Sequence, residues 1–253
     1  MDTPERSLST NNWTLGDLLA FDLETTGVDP NTDLPVSYSL IEYSGGEVTK
    51  TKAGLINPMR PIPEGATAIH GITDAQVQQT GRELDLAIED ISDMLVDASI
   101  RGIPVVGMNV SYDLKMIEAC SIRLFGTPLA DIGWIGGPVV DILVLDRHFD
   151  KYRKGKRKLA DLCKTYGVDT STSFHDASSD ASASVSVLLK QAERYSEITE
   201  TDPTTLHDKQ ILWYRQWATD FSKYIVSMGG EPLPQSELSW PLSPSTTEST
   251  PSI

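Results

Sequence analysis

The chain has 253 residues, of which 39% are hydrophobic and 23% charged, a balance that excludes collagen-like, wholly disordered and coiled-coil classes. No stretch approaches the roughly 18 uninterrupted apolar residues of a membrane span, and the polar start MDTPERSLSTNNW lacks a basic region followed by an apolar one, so a cytoplasmic protein with no membrane partner is expected. Thirty-six acidic against 21 basic residues give a net charge of −15, which argues against general adhesion to nucleic acid; the two cysteines, Cys120 and Cys163, cannot form a disulfide framework.

Taken in chain order, residues 1–16 read as an N-terminal extension. Leu18 to Glu24 (LLAFDLE) begins as an apolar run and ends in charge, as a buried strand does where it opens at a sheet edge. Val36 to Tyr43 and Val48 to Ile56 are strand-like, divided by the Gly45-Gly46 pair of a hairpin turn. Leu84, Ile88, Ile91 and Leu95 then recur at helical spacing, closed by Gly102 and Pro104. Val105 to Gly107 reads as a strand, Asp113 to Leu124 as a helix, and Val139 to Leu145 as a buried strand. Helices follow at Leu159 to Tyr166 and at Ser178 to Tyr195, the latter N-capped by Asp176. Hairpins followed by αβα alternation predict an α/β fold, a mixed sheet flanked by helices, over residues 17–200.

A helical extension is predicted for residues 201–230, where Trp213, Trp217, Phe221, Ile225 and Met228 form a stripe read as core. Residues 231–253, rich in Pro, Ser and Thr, are expected to form a disordered tail. The positive charge is concentrated in Lys151 to Lys158 (KYRKGKRK), which holds six of the 21 basic residues.

Asp22 and Glu24 leave one face of the first strand with Cα atoms about 6.6 Å apart. Such a pair repels unless a cation sits between, and Mg²⁺, an oxygen-binding ion, suits it; solvated strand ends carry similar pairs. Asp113 follows the strand at Val105-Val106, in the place of a helix N-cap or of a ligand-binding residue at a strand's carboxyl end. His175 and Asp180 bracket the start of the last helix of the domain.

FDLETTG, IHGIT at Ile69 to Thr73, NVSYD at Asn109 to Asp113 and HDASSD followed by ASASV resemble, in order and spacing, the DnaQ-type 3′→5′ exonucleases of the DEDDh group. The resemblance covers about Ala20 to Leu189. It implies an RNase H-like fold, metal-binding carboxylates at Asp22, Glu24, Asp113 and Asp180, a general base at His175, and two divalent cations, Mg²⁺ or Mn²⁺. It also implies that Leu23, Thr25, Thr26 and Gly27 meet the 3′ end, His70 the terminal base, and Asn109 and Tyr112 the terminal nucleotides. Met108 stands where many members have His and Tyr112 where Phe is usual, differences that bear on substrate preference. The implied reaction is two-metal hydrolysis releasing nucleoside 5′-monophosphates from DNA 3′ ends, in proofreading or repair.

An anionic protein acting on an anionic polymer needs a local electropositive path, so Lys151, Arg153, Lys154, Lys156, Arg157 and Lys158 are candidate contacts to the phosphate backbone. RNA or short oligoribonucleotides as substrate, and a binding-only polymerase accessory module, are the alternatives. Gln235 to Trp240 (QSELSW) faintly resembles peptides that bind sliding clamps, which with a DNA polymerase completes the expected partners.

Overall fold

The structure, a computed structural model, describes residues 12–169 and 176–242. In chain order the strands are β1 (Leu18–Thr25), β2 (Pro35–Ser44), β3 (Glu47–Asn57), β4 (Arg82–Glu83), β5 (Val105–Gly107) and β6 (Val139–Asp141). The helices are α1 (Glu64–His70), α2 (Asp74–Thr80), α3 (Leu84–Arg101), α4 (Val110–Phe125), α5 (Ile142–Phe149), α6 (Leu159–Tyr166), α7 (Ala177–Arg194), α8 (Ser196–Glu200) and α9 (Pro203–Ser227). The strands form one mixed sheet of order β4-β3-β2-β1-β5-β6. β1, β2 and β3 are antiparallel, whereas β5 and β6 join β1 in parallel, as the hairpins and the later alternation predict. Gly45 and Gly46 both have positive φ (64° and 81°), the conformation a tight two-residue hairpin turn requires.

β1 is central, and its alternating side chains enter two different cores. Leu19, Phe21 and Leu23 pack with Ile88, Ile91, Leu114 and Ile117 of α3 and α4. Leu18 and Ala20 pack with Leu162, Val185 and Leu188 of α6 and α7. Burial on both faces explains the apolar run at Leu18–Phe21. By the same alternation, Asp22 and Glu24 emerge on the α7 face, where the run gives out.

Three elements differ from expectation. The apolar stretch from Val139 to Leu145 is not one strand: it stops at Asp141, whose carboxylate accepts the Leu143 N–H and caps α5. Apolar residues serve a buried strand and a buried helix equally, and the embedded Asp is what divides them. The tail expected to be disordered from residue 231 is packed as far as Leu242. Trp240 is 4% exposed, the Ser111 hydroxyl donates to the Pro241 carbonyl, and Lys115 Nζ donates to the carbonyls of Ser236 and Ser239. One buried indole supplies apolar area that an average over Pro, Ser and Thr conceals. The aromatic stripe, read as core, is core only at its start. Trp213 packs against both clusters, while Phe221 is 39% and Met228 71% exposed.

α9 also closes the open edge of the sheet. The outward N–H groups of Val139 and Asp141 donate to His207 Nδ1 (3.1 Å) and Gln210 Oε1 (2.8 Å), and Gln210 Nε2 donates to the Val139 carbonyl. A bare edge strand would leave these groups for another chain to pair with. No helix among the described residues is long and apolar enough to cross a membrane.

Replacing the buried Trp240 with Ala should lower unfolding stability by about 3 kcal/mol or more, as for other buried aromatic truncations. Ending the chain at Gly230 should cost at least as much. Urea denaturation measures both, and a loss below about 1 kcal/mol would show that the 231–242 segment is not integral.

Candidate active site

The site is built on the carboxyl end of β1. Just beyond Glu24 the ladder with β2 shifts register, and a tight network holds the turn that follows. Thr25 Oγ1 and the Tyr112 hydroxyl both donate to the Gly27 carbonyl and contact each other at 3.0 Å. Burial pushes the Tyr112 phenol up to about 12, so it remains a donor. A side chain on Gly27 would collide with the Asp33 carboxylate, which accepts from Thr26 Oγ1 and pairs with Arg60.

α4 brings the next carboxylate. β5 ends at Gly107, where a Cβ would lie 2.7 Å from the Phe21 carbonyl, so only glycine admits β1 this closely. Asn109 then turns the chain in a left-handed conformation (φ 58°), its N–H donating to Asp141 Oδ1 at 2.9 Å. Asp113 lies within α4 rather than at its cap and is 4% exposed. The β1–β5 ladder reaches only Ala20, and Asp113 Oδ1 accepts the Leu23 N–H beyond it at 3.1 Å. The carboxylate therefore sits against the backbone between Asp22 and Glu24.

α7 supplies the fourth. Asp176 is its N-cap, as expected, accepting from the Ser179 N–H at 3.1 Å. One turn on, Asp180 offers an oxygen within 4.8 Å of oxygens of Asp22 and Glu24. Asp113 stands beside this trio rather than in it.

The carboxylates raise one another's pKa. Asp22 is pushed well above the usual range, first by burial and then by Asp113, Asp180 and Glu24. Glu24 is pushed up to about 7 by burial and by Asp180 and Asp176. Asp113 is also raised, by burial, with N–H donors, among them that of Leu23, opposing the shift. A cluster that resists ionising at neutral pH suits a ligand of compensating positive charge; carboxylate oxygens suit a hard divalent cation.

Other expected site residues are placed less simply. His175 lies outside the described residues. Leu23 is 7% exposed with its N–H given to Asp113, and Thr26 is 2% exposed with its N–H donated to the Leu34 carbonyl, so neither offers a free N–H to a 3′ hydroxyl. Asn109 is exposed. His70 ends α1, its Nδ1 accepting the Ile72 N–H.

The basic run divides in two. Arg153 and Arg157 turn inward to Asp146, which is fully buried and also accepts the Tyr166 hydroxyl at 2.9 Å. They are structural latches, whereas Lys151, Lys154, Lys156 and Lys158 are exposed. Sequence reasoning missed Asp141 and Asp146, which orient this region; each is an acid embedded in an apolar run, where burial is affordable only with partners. Gln235–Trp240, with Trp240 buried, is not a free peptide for a clamp.

A mixed sheet with carboxylates gathered at the end of its central strand is an arrangement able to hold divalent cations. The family model described as "Exonuclease" (RNase_T) matches residues 19–188, about two thirds of the sequence. The chain belongs to this family, the DnaQ-like 3′→5′ exonucleases of RNase H-like fold.

It is similar to the PolC-type DNA polymerase III of Bacillus subtilis, 28% identical over 179 residues, covering 71% of this chain and 12% of the polymerase. The PolC-type enzyme of Thermotoga maritima is 26% identical, over 76% of this chain and 13% of the relative. The chain thus spans only about an eighth of these relatives. Among solved structures, E. coli exonuclease I in complex with a dA16 oligonucleotide matches with TM-score 0.63 at 18% identity, over 79% of this chain and 44% of that one. Exonuclease X in complex with 5′ overhanging duplex DNA matches at 0.56 and 21%, over 76% and 99%.

A carboxyl whose folded pKa exceeds its unfolded value binds protons more tightly when folded, so its contribution is present at low pH and is lost as pH rises. For Glu24 that window runs from about 4.5 to about 7, and Asp22 and Asp113 extend it upward. The melting temperature of the metal-free chain should fall between pH 5 and pH 8, Mn²⁺ should reverse the fall, and Glu24→Gln should raise the metal-free value at pH 8. A profile unchanged by Glu24→Gln would refute the assigned repulsion.

Proposed function

We infer that this chain is a working 3′→5′ exonuclease that removes nucleoside 5′-monophosphates from DNA 3′ ends in proofreading or repair. The observation that carries the reading is the convergence of Asp22, Glu24 and Asp180 oxygens within 4.8 Å, with Asp113 tied to the Leu23 N–H beside them. The donor set is all oxygen and ionises reluctantly, which fits Mg²⁺ or Mn²⁺. Asp22, Glu24 and Asp180 would hold the ions and Asp113 would complete their surroundings. Two such ions, when bound, stabilise the attacking and leaving oxygens of an in-line displacement at phosphorus.

The chain's own groups do the rest. His175, on the segment leading into α7, takes the proton of the attacking water. The water oxygen joins phosphorus, the bond from phosphorus to the 3′ oxygen breaks, and that oxygen takes up a proton from solvent, leaving the shortened strand with a 3′ hydroxyl. The turn at Thr25–Gly27, fixed by Tyr112, and the exposed Asn109 form the wall against which the terminal nucleotide rests. Similarity to PolC-type polymerases supports a polymerase as partner.

The test is a time course on a 3′-mismatched DNA primer and its RNA counterpart, with Mg²⁺, Mn²⁺ or EDTA. Mononucleotide 5′-phosphates should appear from the 3′ end, faster from DNA, and not at all in EDTA. His175→Ala should slow release by about 10²- to 10⁴-fold. Products bearing a 3′ phosphate, or activity surviving EDTA, would overturn the mechanism; faster loss of RNA would move the substrate to RNA.

A further inference from the structure

The outward half of the α9 stripe borders a groove of about 520 Å³ between α5 and α9. Its aromatic wall is formed by Trp213, Tyr214, Trp217 and Phe221. Trp217 and Phe221 stack with centroids 5.3 Å apart at 12°, and Phe221 is followed by Tyr224 at 6.4 Å and 21°. Phe221 is 39% exposed, and Tyr224, 58% exposed, stands beyond the groove. Its other wall is cationic. The Arg147 guanidinium lies 3.5 Å over the Trp217 ring, and the exposed Lys151 stands one turn further along the chain. The one acid lining the groove is Asp220, whose carboxylate already accepts from Gln216 and lies 3.9 Å from Lys223 Nζ.

The groove sets aromatic rings beside Arg147 and Lys151 on a chain of net charge −15. The combination selects a ligand whose negative charges and flat rings alternate, which describes a single-stranded polynucleotide: bases stack on aromatic faces and phosphates meet Lys and Arg. α5 leads toward the groove from Asp141, beside the turn that starts α4. α5 is capped by Asp141, the residue that holds the Asn109 N–H, and Arg147 follows about 9 Å along the helix axis.

We propose that the α5–α9 groove is a second binding subsite, which holds the single strand upstream of its 3′ end while the terminal nucleotide occupies the carboxylate cluster. The subsite rests on the nuclease reading of that cluster and adds to it a strand path formed by Phe221, Arg147 and Lys151, with Trp217, in contact with both Arg147 and Phe221, as its support.

The test uses the full chain in Mg²⁺ with nuclease-resistant phosphorothioate oligothymidylates about 4 and about 16 nucleotides long, the span of known single-strand site sizes. The longer strand should bind more tightly. Phe221→Ala should weaken its binding by about fivefold or more, the effect of losing one stacked base, and Lys151→Glu should lower the salt dependence by about one phosphate contact. Circular dichroism establishes that the variants are folded. Length-independent binding, or variants that bind the longer strand as the wild type does, would overturn the subsite. So would a Phe221→Ala chain that changes its sedimentation but not its DNA affinity, since the groove would then join two copies. Hydrolysis of the p-nitrophenyl ester of thymidine 5′-monophosphate, measured in parallel, separates the two claims. Its absence in the wild type overturns the nuclease reading, whereas hydrolysis with unaltered strand affinity in the variants overturns the groove alone.

Discussion

Like charges crowded at one strand end are the constraint that organises this molecule. Asp22 and Glu24 are two residues apart on a central strand, so the pleat forces both carboxylates onto the α7 face, and Asp180 adds a third within 4.8 Å. Nothing in the side-chain chemistry favours that gathering. Burial and mutual repulsion push Asp22, Glu24 and Asp113 up, so a proton or a cation lowers the cost of gathering them. The rest of the fold supplies the packing that holds the cluster together.

That packing is layered. The Leu23 N–H fixes Asp113, the Asp141 carboxylate fixes the Asn109 turn that starts α4, and Gln210 of α9 fixes the Asp141 backbone. The 231–242 segment completes the series, because Ser111, two residues before Asp113, donates to Pro241. A C-terminal helix and strap that look like appendages in the sequence therefore brace the helix carrying Asp113. Each link buries a polar group against a matched partner, which is the condition for placing charge in an interior.

Much of this is legible in the sequence, for identifiable reasons. β1 shows itself because burial on both faces demands an apolar run and Asp22 and Glu24 end it abruptly in charge. α3 and α7 show themselves through helical periodicity and, for α7, through the Asp176 cap. The strand-to-helix switch at Asp141 is obscured because Val139–Leu145 is apolar throughout, and only one capping acid marks it. The inward turn of Arg153 and Arg157 is hidden because their partner, Asp146, lies in a different segment, so local charge density mimics a solvated basic patch. The outward half of the α9 stripe has helical spacing identical to that of a core helix; which of its turns meet the domain is decided by where the helix outruns the sheet.

The central claim is that cations replace protons at the carboxylate cluster. Calorimetric titration of the full chain with Mn²⁺ in two buffers of different ionisation enthalpy, at pH 6.5 and again at pH 9, reads both the ions taken up and the protons let go. Two ions should bind, with protons released at pH 6.5 and fewer at pH 9, where Glu24, raised to about 7, has already ionised. No uptake, or uptake with the same proton release at both pH values, would contradict the account.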